Sequence, residues 1–176
     1  MKKVLSLVAT VAVLGSSVFA MDKSLYVGGQ SVTLNKNQGV VGVVGYHADG
    51  RWDNGFLLGV SGEMGGGQIK FDNTIVDATA TTPTTDITTL VLGTDLKIGY
   101  TLLKKLDIYA TGGFVLQSLE NDTGYGLGFG GGVSYTFTEK WNVRAEYKSY
   151  SMTTTASGGN ASYDYATTGL SVGYRF

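Results

Sequence analysis

The sequence predicts an all-β fold, an eight-stranded antiparallel up-and-down barrel, and three observations support this prediction. Glycine is abundant, with 27 among 176 residues, and Pro83 is the only proline, while the strand-forming residues Val, Thr, Tyr and Phe are common. Apolar and polar residues alternate with period two in segments of about ten residues, which is the pattern of a strand with two different faces. These segments are even in number and separated by turn residues, so successive strands can run antiparallel.

Eight segments show this alternation. Antiparallel neighbours need only a turn or a loop between them, so the segments can follow one another around a closed sheet. The predicted strands are residues 24–34, 39–48, 55–66, 87–101, 106–118, 125–137, 141–152 and 163–176.

The linkers between the strands alternate in character. Those on one side are tight or turn-like: residues 49–54, with Asp-Gly and Asn-Gly turn signals, 103–105 and 138–140. Those on the other side include two longer stretches rich in Thr, Ser, Gly and Asn, 72–88 and 153–162, and two short ones, 35–38 and 120–123. The predicted barrel therefore has a turn end and a loop end.

The first twenty residues have the layout of a cleaved secretory signal peptide. Lys2 and Lys3 are followed by an apolar stretch, and Val18-Phe19-Ala20 is a small-x-small cleavage site. The alternative, a retained membrane helix, is disfavoured because about eleven apolar residues fall short of the roughly 20 that span a bilayer. We expect cleavage after Ala20, which divides the chain into a signal peptide, 1–20, and a single barrel domain, 21–176.

Composition narrows the class further. The chain has no cysteine, which excludes disulfides and lipid attachment through a thiol. Charged residues make up 15% of the chain, against roughly 25% in ordinary soluble domains. Loss of the two leader lysines makes the charge of the mature chain more negative, which does not favour nucleic acid as a partner.

Alternation does not say which face of a strand lies inside, because a soluble lipocalin-like barrel and a membrane barrel share the pattern with opposite polarity. In residues 126–137, however, the more polar face carries only Gly, Ser and Thr. A water-exposed face would normally carry Lys and Glu, whereas small residues suit the narrow interior of an eight-stranded barrel. The other face carries Leu127, Phe129, Val133, Tyr135 and Phe137.

The charged residues of the strands fall on their polar faces. Facing lipid, each Arg or Lys near the midplane would cost roughly 2–4 kcal/mol, whereas inside the barrel opposite charges can pair. A transmembrane β-barrel is therefore favoured, and a secreted soluble lipocalin-like barrel with a solvated charged face is the remote alternative. The predicted interior charge network contains equal numbers of acids and bases: Glu63, Asp95, Lys97, Asp107, Arg144, Glu146, Lys148 and Arg175.

Aromatic residues cluster near both ends of the strands, which predicts two interfacial belts. The turn-end belt is Tyr46, Trp52, Phe56, Tyr100, Tyr135, Phe137, Trp141, Tyr174 and Phe176. The loop-end belt is Tyr26, Phe71, Tyr125, Tyr150, Tyr163 and Tyr165.

The signal peptide, the eight strands, the segment "WNVRAEYKSYS" and the final "VGYRF" together resemble the OmpA/OmpX-like outer-membrane β-barrel family, the small porin-family proteins of Gram-negative bacteria. The resemblance implies a location in the bacterial outer membrane with outer-membrane lipid around the barrel. It also implies that Tyr174 and Phe176 form an assembly signal that the outer-membrane assembly machinery reads.

Motifs that could carry chemistry are weak, and we predict no enzyme, no cofactor and no metal site. "GLGFGG" at residues 126–131 matches a dinucleotide-binding pattern, but strand alternation runs through it where that motif requires a helix. "DGRWDNG" lacks the ligands of a calcium loop, because Arg51 occupies the third ligand position. His47 is the only histidine, and we expect it at the turn-side end of the second strand, away from an outer-leaflet active site.

Two functions remain open. One is a structural or surface-interaction role for a barrel with a filled polar interior, which would display the loops 72–88 and 153–162 to an extracellular partner that the sequence does not identify. The other is a small diffusion pore. Eight strands enclose an interior that side chains can fill, whereas open porins use about 16–18 strands, so the first function is preferred.

Overall fold

The computed structural model describes residues 21–71, 85–119, 122–156 and 159–176. The predicted signal peptide with its cleavage site at Ala20, and most of the predicted loop 72–88, lie outside these ranges. The described residues contain no helix that is long and apolar enough to cross a membrane. The strands are β1 (Met21–Leu34), β2 (Asn37–Arg51), β3 (Phe56–Phe71), β4 (Thr85–Leu102), β5 (Leu106–Leu119), β6 (Asp122–Thr136), β7 (Trp141–Ala156) and β8 (Gly159–Arg175).

Each strand pairs antiparallel with its neighbour in the sequence, and β8 pairs with β1 to close the barrel. The predicted eight-stranded up-and-down barrel is therefore confirmed. Closure leaves no open edge, which would be costly in lipid because unpaired backbone groups find no water there.

The register around the barrel gives its shear. From Gly29, the paired residues on β2, β3 and β4 lead to Ser118 on β5. In the other direction, the paired residues on β8, β7 and β6 lead to Ile108 on the same strand. These two residues on β5 are ten positions apart, which is the shear of the barrel, and the strands therefore tilt by about 40°. A step from one strand to the paired residue on the next, in the order β1 to β5, leads toward the loop end.

The strands are longer than the alternation predicted, so the linkers 35–38, 72–88 and 120–123 overlap strands at one end, and the linkers 49–54 and 153–162 are also wrong in extent. β2 continues to Arg51, so the tight turn is only Trp52–Gly55, where Gly55 has φ +88°, a conformation that glycine adopts without a steric cost. The predicted loop 153–162 is largely strand, because pairing of β7 with β8 extends to Ala156 and Gly159. The Ser, Gly and Asn residues of this stretch are typical of loops, but its threonines favour strands, and these residues complete a ladder on neighbours that are already paired.

The outer surface of the barrel is apolar. Leu127 and Phe129 are 71% and 77% exposed, and Leu96 and Leu170 are also exposed. Large apolar side chains on the outside of a closed barrel, with charged side chains inside, have the polarity of a membrane barrel rather than a lipocalin-like one. Aromatic side chains of the turn-end belt, including Tyr100, Phe137, Trp141 and Phe176, are exposed on this surface.

The predicted loop-end belt is wrong for four of its tyrosines. Tyr26, Tyr150 and Tyr165 are at most 5% exposed and belong to a cluster inside the barrel. Tyr163 is partly buried, packs against this cluster and donates its hydroxyl to Oε1 of Gln117 at 3.1 Å. Their positions along the strands suggested the membrane interface, but their phase is that of the inward face. Tyr125 is exposed on the outside as expected.

The interior has two layers, whereas the sequence analysis predicted only a polar one. The turn-side half is charged. The loop-side half contains an apolar cluster that period-two alternation did not separate from the outer face, because both faces carry apolar residues there. Its members are Tyr26, Val32, Leu34, Val41, Val43, Ile69, Val91, Val115, Tyr150, Met152 and Tyr165. Gln117 and Thr89, which are hydrogen-bonded to each other, are buried in the same half.

Candidate functional site: the charged lumen

Lys148 on β7 is at the centre of the part of the charged layer that lies nearer the loop end. Its Nζ lies 2.6 Å from Oδ2 of Asp95, 3.3 Å from Oε1 of Glu63 and 3.7 Å from Oε2 of Glu146. The Lys148 side chain is 3% exposed. A buried ammonium has to be paired, since an isolated charge in a low-dielectric interior is costly, and here three carboxylates from β3, β4 and β7 surround it.

Tyrosines and a glutamine complete the hydrogen bonds of these carboxylates. The hydroxyl of Tyr26 donates to Oε2 of Glu63 at 3.0 Å, and the hydroxyl of Tyr109 donates to Oε1 of Glu146 at 2.7 Å. Gln30 also donates to Glu63. Tyr26, which sequence reasoning assigned to the interface, therefore belongs to this polar network, and so does Tyr150, whose hydroxyl donates to Oδ1 of Asp95 at 3.4 Å.

Arg144 lies over the Tyr26 ring, with its guanidinium carbon 4.0 Å from the ring centroid. Its Nη1 is 3.4 Å from Oε1 of Glu146, and its Nε donates to the hydroxyl of Ser171 at 3.4 Å. The Arg144 side chain is 2% exposed. This cation–π contact and ion pair hold the guanidinium across the middle of the lumen.

A second group of charges lies nearer the turn end. Lys97 Nζ is 2.6 Å from Oδ1 of Asp49, and Arg51 Nη2 is 2.7 Å from Oδ2 of Asp107. Arg51 also contacts Asp22, which lies 3.6 Å from Nη1 of Arg175. The eight predicted charges thus fall into two groups: Lys97, Asp107 and Arg175 pair with residues outside the predicted set.

Sequence reasoning missed Asp22, Asp49 and Arg51. The last two were placed in a turn because Asp-Gly is a strong turn signal. The inward phase of β2 nevertheless continues from His47 through Asp49 to Arg51, and this continuation is the signal that could have identified them.

His47 is buried inside the barrel, four positions before the end of β2 rather than at its end, and is 5% exposed. Its Nε2 lies 3.5 Å from Oδ2 of Asp49, and its ring packs near Tyr26 with the centroids 5.9 Å apart. Within the described ranges, no group of three or more His, Cys, Asp or Glu residues is arranged to hold a metal ion. The "GLGFGG" segment lies wholly within β6.

Several buried polar atoms on one wall of the turn-side lumen have no hydrogen-bond partner among the described residues. Ser24 lies opposite His47 on β2 and opposite Arg175 on β8, and Asn142 and Arg144 are on the adjoining β7. Buried polar atoms of this kind are usually satisfied by ordered water, so this wall suits a hydrated environment. The atoms are Oγ of Ser24, Nδ1 of His47, Oδ1 of Asn142, Nη2 of Arg144 and Nε of Arg175.

The residues of the predicted assembly signal lie on the outside at the turn end. The Tyr174 ring packs edge-on against Trp141, with centroids 5.0 Å apart and planes at 70°. Phe176 is 65% exposed, and its backbone amide donates to the carbonyl of Lys23 at 3.1 Å.

Comparison with known proteins identifies the family. The chain matches the model of the outer membrane protein beta-barrel domain over residues 6–176, while no curated protein sequence matches it. Similar solved structures include Neisserial surface protein A (14% identity, TM-score 0.60, covering 89% of this chain and 97% of that one). A major outer membrane protein of Thermus thermophilus (14%, 0.56, 88% and 99%) and the Yersinia pestis attachment invasion locus protein Ail, solved with the heparin analogue sucrose octasulfate (14%, 0.51, 89% and 99%), are also similar. The chain belongs to the outer membrane protein beta-barrel domain family, as a small OmpA/OmpX-like barrel of the bacterial outer membrane.

Proposed function

We propose that this protein is a non-enzymatic barrel with a filled interior, which serves a structural or surface-interaction role in the outer membrane. The observation that carries the proposal is the stacking of two layers in the lumen, an apolar layer on the loop side and an ion-paired layer on the turn side. An ion that crossed the barrel would have to pass both.

The apolar layer supports this role through the cost of moving charge into it. Val32, Val41, Ile69 and Tyr165 have no measurable exposure, and a bare ion among such side chains loses its hydration without compensation. The charged layer supports it because Lys148 and Arg144 extend across the lumen to partners on other strands.

The surface-interaction part of the proposal concerns the loop end. Fewer residues are available for surface display than the sequence predicted, because 153–162 is mostly strand. The segment 72–84, which connects β3 and β4, is therefore the main candidate for contact with an extracellular partner. The partner is unidentified. The heparin analogue is a ligand of Ail, and the 14% identity between Ail and this chain supports a shared fold and not a shared ligand.

A small diffusion pore is the second candidate, and the unpartnered atoms on the Ser24, His47 and Asn142 wall favour it. If water occupies that wall, the turn-side half of the lumen is hydrated. Among the described residues the apolar layer would then be the remaining barrier, and intermittent opening of that layer would allow conductance.

The substitution Arg144→Ala separates the two candidates. For a filled barrel, alanine leaves Glu146 with one charged partner fewer and removes a long side chain from the lumen. We expect a loss of up to about 3 kcal/mol in the free energy of unfolding, since a broken buried pair costs about 3–5 kcal/mol and lumenal water would reduce this. Planar-bilayer current should be low for the parent and higher for the variant.

Arg175→Ala is the matched control, because Arg175 is 24% exposed and its nearest carboxylate is 3.6 Å away. It should change neither stability nor current by a comparable amount. A sizeable parental current, with Arg144→Ala altering ion selectivity and leaving the melting temperature unchanged, would establish the pore instead.

A further inference from the structure

The outward face of the barrel has a polar gap where β7, β8 and β1 are adjacent. Ser149, Thr168 and Ser31 point outward on these three strands, in phase with exposed Tyr147 and Leu170. The strands on either side carry large exposed apolar residues, Leu127 on β6 and Val40 on β2, which are 71% and 68% exposed.

The register allows the heights of these residues along the barrel axis to be compared. For strands about 4.8 Å apart and tilted about 40°, a step to the paired residue in the order β6, β7, β8, β1, β2 rises by about 3 Å toward the loop end. One residue along a strand changes the height by about 2.5 Å.

These steps place the three hydroxyl-bearing residues nearer the turn end, and so lower along the barrel axis, than the flanking apolar residues. Leu127 pairs with Ser151, so Ser149, two residues below Ser151, lies about 2 Å below Leu127. Thr168 pairs with Tyr147 and lies about 4 Å below Leu127. Ser31 pairs with Thr168 and Val40 pairs with Ser31, which places Ser31 about 1 Å below and Val40 about 2 Å above Leu127.

The apolar band of the outer surface therefore ends nearer the turn end on β7, β8 and β1 than on the flanking strands β6 and β2. Within the described part of the chain, none of the three hydroxyl groups has a hydrogen-bond partner, and Ser31 and Thr168 are exposed. In the acyl region of a bilayer such groups would stay unsatisfied, because nothing there accepts or donates a hydrogen bond. Water or lipid ester and headgroup oxygens would satisfy them.

We propose that the bilayer is locally depressed at this sector, so that hydrated lipid headgroups and ester groups descend to the level of the Ser31–Thr168 pair. The surface is a lipid-recognition surface centred on the pair of strands that closes the barrel. Lipid is favoured over a second copy of the chain because the core of a protein interface is usually enriched in apolar area, whereas the gap itself consists of hydroxyl-bearing and small residues.

Spin-label depth measurements test this proposal. The chain has no cysteine, so Ser31→Cys, Leu127→Cys and Val40→Cys each carry a single label in the refolded protein in phosphatidylcholine vesicles. We expect the label at position 31 to be several-fold more accessible to a polar nickel reagent, relative to oxygen, than either control. By height alone the label at position 31 would be the deepest of the three and the least accessible to nickel, and that result would overturn the proposal. A label at position 31 that is shielded from both reagents would also overturn it, because it would indicate a protein partner.

A second variant guards against label effects. In the triple variant Ser31→Val, Ser149→Val and Thr168→Val the apolar band is restored, and each valine is tolerated on an outward strand face. A label at Ala166→Cys, two residues above Thr168, should change from nickel-accessible in the parent to oxygen-accessible in the variant. Equal accessibility in the two backgrounds would show that the hydroxyls do not set the local lipid level.

Discussion

At the residue scale, inward glycines make room for the charged layer. A Cβ atom built on Gly113 of β5 would collide with Oδ1 of Asp95 and with the carbonyl of Thr94. Asp95 is the carboxylate nearest to Lys148, at 2.6 Å. The absence of a side chain on one strand therefore permits the ion pair between two others.

This relation predicts that alanine destabilises the barrel at one of two adjacent glycines and not at the other. Gly113→Ala should lower the free energy of unfolding by about 1–3 kcal/mol, the usual cost of overpacking an interior, because the Asp95 carboxylate must move away from Lys148. Gly112→Ala is the control, since its Cβ would point outward and meet only the Gly128 carbonyl at 3.9 Å. Urea titration in detergent micelles, followed by the mobility of folded and unfolded bands, measures both, and equal midpoints would contradict the packing argument.

At the scale of the element, β8 combines two roles. It closes the barrel on β1, and the outward aromatic residues Tyr174, within β8, and Phe176, which directly follows it, remain the proposed assembly signal. Phe176 is 65% exposed, so its replacement removes little buried area.

Phe176→Ser should therefore reduce the amount of barrel assembled in the outer membrane of cells, while the melting temperature of protein refolded in detergent stays close to that of the parent. Phe137→Ser is the matched control, because Phe137 belongs to the same aromatic belt, is 48% exposed and directly follows β6 instead of β8. Quantifying the heat-modifiable band in membrane fractions gives the assembly yield. If the two serine variants assemble equally well, position 176 has no special role in recognition.

At the scale of the whole molecule, orientation follows from the two different ends of the barrel. Outer-membrane barrels place short turns in the periplasm and longer loops outside, so the turn at Lys105 should be periplasmic and the connection at Lys36 extracellular. Both lysines are exposed.

Single-cysteine variants test this orientation. A polymer-linked maleimide too large for porins should label Lys36→Cys on intact cells, and should label Lys105→Cys only after the outer membrane has been permeabilised. The reverse pattern would place the turn end outside the cell.

The sequence by itself determined the strand number, the antiparallel meander and the polarity of the faces, as β6 illustrates. Leu127 and Phe129 alternate with Gly128 and Gly130, and this local period of two is a property of every β-strand. The same alternation predicted that Lys148 and Arg144 point inward, although it did not identify their partners.

Only the tertiary structure decided which charges meet. Lys148 pairs with Asp95 across the lumen, while Lys97, two residues from Asp95, pairs instead with Asp49. These contacts depend on the ten-residue shear, which is the sum of eight strand registers and cannot be read from any one strand. The apolar layer of the lumen also became apparent only on closure, because residues that look alike in sequence are separated into lipid-facing and lumen-facing sets when the sheet meets itself.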